Sequence, residues 1–187
     1  MERWSAPRGG TGVGSFGWIG ALAEGPGTLA PDVAAGVRLA AWASNYAQAI
    51  SADEIDPAVA AARLSLCAIC RPDLIQRHLD QARARPVEVS PVLDWPPRAQ
   101  LVDVLAAALE VTAGRRDLAA PDGVLVQHLT RDHGPAAARQ RILRITRAGT
   151  TVAEVTTVAE LADQLGGPDT LEQLSAAPVS PVDAERG

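Results

Sequence analysis

Residues 121–156 read PDGVLVQHLTRDHGPAAARQRILRITRAGTTVAEVT, and here the chain changes period. Upstream, apolar residues recur at helical spacing. From Val124 the helical spacing stops and short strand-like runs begin. Val124 to Leu129 reads as one strand, and RILRIT (141–146) and TVAEVT (151–156) flank Ala148-Gly149 as the arms of a hairpin. Neither parity of these strands gives a clean apolar face, so the register stays open. Thr157 followed by Glu160 is a capping-box pattern that opens a helix to Leu165. Gly166-Gly167-Pro168 stops that helix, and Leu171 and Leu174 add a turn.

Working back towards the N-terminus, the punctuation is mostly proline. Pro31-Asp32 starts a helix to Ile50, with Val33, Val37, Ala40 and Ala41 as one apolar stripe and Leu39, Trp42 and Tyr46 as a second, so it should be buried over much of its girth. Asp56-Pro57 supplies a cap and a first-turn proline for a second helix, ending near Cys70. Pro72-Asp73 opens a third. The four prolines within 85–97 make an extended connector. Leu101, Val104, Leu105, Ala108 and Leu109 then form an amphipathic helix, with Gly114 as its stop.

The expected organisation is a glycine-rich leader (1–27), a helical body (28–120), a small β-β-β-α unit (121–174) and a tail (175–187). The fold class is α+β: mainly helical, about four helices, with a small C-terminal antiparallel hairpin or sheet plus a helix.

Composition narrows the function. All 17 basic residues are arginine, and 3% of residues are aromatic, so the core is built from alanine and medium aliphatics. A high-GC bacterial genome accounts for arginine in place of lysine. The net charge of −5 opposes wholesale polyanion binding. No stretch has the apolar length of a membrane span, and two cysteines make no secreted disulfide framework. The expected setting is the cytoplasm, with no membrane partner.

Four constellations carry possible chemistry. Gly12-Val13-Gly14-Ser15-Phe16-Gly17 has the glycine spacing of a kinase phosphate loop. That chemistry needs a lysine on the phosphates, and the chain has none, which also removes a Walker A loop and a lysine Schiff base. The leader's aromatics Trp4, Phe16 and Trp18 read instead as anchors for a partner. Cys67 and Cys70 form a CxxC pair at the end of a helix, where the dipole raises thiol pKa values. With His78 they make an incomplete metal set. His128, Asp132 and His133 are sound metal ligands or acid–base groups, without a second carboxylate at helical spacing.

Charge is the fourth. Within 121–150 five arginines, Arg131, Arg139, Arg141, Arg144 and Arg147, stand against two aspartates, for +3. Within 151–187 seven acids face Arg186 alone, for −6. Arginines projecting from a hairpin grip phosphates, or they pair with the acidic segment that follows.

The expectation from the sequence is a non-catalytic protein-binding or assembly module. It engages another protein or itself and takes no cofactor. The alternatives are a nucleic-acid-binding regulator using the 131–147 arginines and a metal-dependent enzyme using His128, Asp132 and His133.

Overall fold

The computed structural model describes residues 31–67, 71–84, 97–131 and 140–178. Helices α1 (Pro31–Ser51), α2 (Pro57–Cys67), α3 (Pro72–Ala84) and α4 (Arg98–Thr112) come first. Strands β1 (Leu118–Ala119), β2 (Val124–Arg131), β3 (Gln140–Arg147) and β4 (Thr150–Val155) follow. Helices α5 (Val158–Gln164) and α6 (Pro168–Glu172) and strand β5 (Ser175–Ala176) complete the order.

The helix starts are where the prolines place them. Asp56 caps α2, its Oδ1 accepting from the Ala58 amide at 2.7 Å. Thr157 and Glu160 form the reciprocal capping box of α5. Gly114 ends α4 with φ of 70°, and a Cβ there would lie 2.6 Å from the His128 carbonyl oxygen. The first helix departs from expectation. Leu39, Ala43, Tyr46 and Ala47 are buried, but Val37 is 57% exposed and Ala41 is exposed too, so these two residues of the expected apolar stripe face water. The Leu39–Tyr46 stripe packs in the core, where α4 contacts α1, α2 and α3.

The strands form one five-stranded antiparallel sheet in the order β4-β3-β2-β1-β5. This corrects the expected hairpin and count of about four helices: the described residues hold six helices, and the sheet gains β1 and β5 from either side of 121–174. Two-residue strands carry no period of their own; pairing alone defines them. Ala176, Leu118, Val126, Ile145 and Ala153 are successive cross-strand partners, a small apolar row across all five strands. His128, Leu143 and Val155 make the next row. These rows form the inner face. They join α2, α4, α5 and α6 in one continuous cluster with Leu64, Leu105, Leu161 and Leu171. The register was obscured because the inner face holds His128 while the outer face holds Leu125, Leu129 and Ile142.

Among the described residues no helix is long and apolar enough to cross a membrane.

Candidate functional site

The arginines of the sheet are largely committed within the fold. On the outer face Arg131 and Arg144 converge on Glu154: Nη2 of Arg131 lies 2.5 Å from Oε2, and Nε of Arg144 lies 3.0 Å from Oε1. Register explains the meeting, since Arg144 and Glu154 are direct cross-strand partners. Held first by Arg144 and then by Arg131, the Glu154 carboxyl titrates below its usual range. Arg141 donates from Nη1 to the carbonyl of Thr112, the last residue of α4, at 2.8 Å.

The same device recurs elsewhere. Arg98 donates to the Ala82 carbonyl at 3.1 Å and the Arg83 carbonyl at 2.5 Å, at the end of α3. Arg63 donates to the Glu172 carbonyl, at the end of α6, at 3.3 Å. Helix ends leave unpaired carbonyls with partial negative charge, and guanidinium groups satisfy both needs. Of the sheet arginines that the sequence singles out, Arg147 alone among the described residues has no side-chain partner. Arg139 lies outside the described residues.

His128 sits on the inner face of β2, 3% exposed, with Nε2 lacking a hydrogen-bond partner. Burial, and then the charge of Arg141, push its pKa down to about 4, so the ring is neutral at pH 7. Asp132 and His133 lie outside the described residues. In the helical half, His78 Nε2 donates to the Gly36 carbonyl at 3.0 Å, tying α3 to α1. The Cys67 thiol is pushed up by burial and is a poor nucleophile; Cys70 lies outside the described residues. Tyr46 packs against Trp42 with ring centroids 5.8 Å apart, its hydroxyl pKa raised by burial. Among the described residues no three His, Cys, Asp or Glu side chains are grouped to hold a metal. Trp4, Phe16 and Trp18 also lie outside the described residues.

Among the described residues the sheet has two edge strands, the two-residue β5 and the longer β4. β4 pairs with β3 on one side, and no described strand pairs with the other. The β3–β4 register shifts between Ile145 and Thr146, so Val152 has no partner residue and stands 57% exposed. At the C-terminal end of β4, a groove of about 350 Å3 runs against α5, lined by Glu154, Val155, Thr156, Glu160, Asp163 and Gln164. No residue of β3 lines it. Glu160 is held through Oε2 by the Thr156 and Thr157 amides at 2.8 and 3.1 Å, which lower its pKa. The Asp163 carboxylate has no partner among the described residues.

A second cleft, of about 390 Å3, lies where the end of α1 and the start of α2 meet α4, between Asp56, Asp103 and Arg116 over Val104 and Ala107. Arg116 is already turned onto the Ala176 and Ala177 carbonyls.

No protein-family model, characterised protein or solved structure matches this chain.

The sequence signalled the hairpin but not its exposed side. An edge strand is defined by which neighbour is missing, and local pattern does not carry that.

Proposed function

We propose that the protein is a non-catalytic protein-binding or assembly module, working in a bacterial cytosol, with the free edge of β4 as its contact. The observation that carries this reading is the exposed edge itself. The outer side of Thr150–Val155 offers the backbone donors and acceptors that do not face β3 to an added strand, with Val152 as an apolar contact. Natural edges are usually blunted by charge or covered by a loop, and a valine here serves contact better than protection.

The other sheet groups favour this reading by their prior commitments. Arg131, Arg144 and Arg141 spend their charge on Glu154 and on the end of α4. A phosphate would have to displace those partners.

Native mass spectrometry of the gently purified full chain tests the reading. The expected result is added protein mass that disappears in Val152→Lys, which places a charge on the edge while leaving the core untouched. A stoichiometric metal or small-molecule mass, or protein mass unaffected by the substitution, overturns it. Retention of the added mass after removal of residues 1–27 places the contact within residues 28–187 and away from Trp4, Phe16 and Trp18.

A further inference from the structure

Resting on that reading, we infer that the partner of the β4 edge is a second copy of this chain, paired antiparallel about a two-fold axis through the middle of the strand. A two-fold contact must be self-complementary, so what one end of the strand offers, the other end must receive. β4 meets this condition in three places.

The first is the centre. Val152 stands beside the midpoint of Thr150–Val155, so antiparallel pairing brings the two copies of this 57% exposed valine together across the axis. Burying paired β-branched side chains is what stabilises an added strand. The register shift at Val152 twists the edge, which discourages indiscriminate pairing. A symmetric partner with the same twist is the strand that matches it.

The two ends are opposite in charge. At the start of β4, Arg147 is the cross-strand neighbour of Thr150 and also of Val124. Its side chain therefore rises on the inner, helix-bearing face, and it has no side-chain partner among the described residues. At the finish, the groove against α5 holds Asp163, also without a partner, and Glu160, whose Oε2 alone is engaged. Leu161 and Ala162 of α5 are core residues packed with Val155, so α5 and its carboxylates lie on that same inner face. Antiparallel pairing sets the start of one β4 against the finish of the other. Strands lie about 4.8 Å apart, so Arg147 of the second copy is one strand beyond the junction, on the face that carries the α5 carboxylates. The contact is made twice by symmetry, and the two sheets become one.

Sedimentation velocity of the full chain over a concentration series tests this. The expected result is a reversible dimer. Val152→Lys should be monomeric where the parent is dimeric. Arg147→Glu and Asp163→Arg should each weaken association at least tenfold, and the two charge reversals together should restore most of it. All three positions are exposed, and unchanged circular dichroism checks that the variants fold. A chain monomeric at every concentration, a dimer indifferent to Val152→Lys, or charge reversals that fail to rescue each other overturns the inference. If the chain is monomeric but a co-purifying protein is lost in Val152→Lys, the dimer falls while the protein-binding reading stands. A dimer lost on removing residues 1–27 and unaffected by Val152→Lys defeats both.

Discussion

His128 sets an ionisable ring against Leu143 in the apolar interior, and the consequence is a dependence on acid. With its folded pKa depressed to about 4 from 6.5, the ring is neutral in both states above pH 6.5, and its full share of stability is present there. As pH falls from 6.5 towards 4 the unfolded chain takes up a proton that the folded chain refuses, and stability falls by about 3 kcal/mol. Urea unfolding at pH 7 and pH 4 should show this loss reduced by a similar amount in His128→Leu. Two glycines should behave oppositely. Gly36 lies inside α1, where an added Cβ meets nothing nearer than His78 Nε2 at 3.9 Å, so Gly36→Ala should raise stability by about 0.5–1 kcal/mol. Gly114→Ala forces a side chain into left-handed backbone and onto the His128 carbonyl, and should cost at least ~2 kcal/mol. Thermal melts of the pair decide this.

At the scale of elements, the β3–β4 turn invites improvement. Ala148 and Gly149 both have positive φ, 49° and 78°, as the tight hairpin turn requires. Asparagine occupies such a position at lower cost than alanine, so Ala148→Asn should stabilise by about 1 kcal/mol and raise Tm by about 2–4 °C. An unchanged or lowered Tm contradicts the turn geometry. This turn, the capping box of α5 and the proline-led helix starts were legible in the sequence because each is decided by neighbours within four residues. The sheet was less so. Leu118–Ala119 is a strand only by pairing with β2 and with Ser175–Ala176, the latter across more than fifty residues of chain. The two faces of β2 and β3 were ambiguous because each mixes apolar and polar side chains. The commitments of Arg131, Arg141 and Arg144 depend on the register, and Val152 is distinguished from any other strand valine only by its missing neighbour.

For the whole molecule, the arrangement of layers places a heavy demand on residues 175–178. Ala176 is 3% exposed and flanks Leu118, α2 packs on β5, and the α6 and β5 carbonyls receive Arg63 and Arg116. Ending the chain after Leu174 removes β5 and strips one side of β1. The truncated protein should lose cooperative unfolding, whereas a chain ending after Pro178 should retain it; calorimetry of the two separates them. Synthesis adds a consequence: β1 leaves the ribosome well before β5, so its outer side and the α2 surface that packs on β5 stay uncovered over that interval. Until residues 175–178 emerge, the growing chain presents those apolar surfaces to chaperones and proteases.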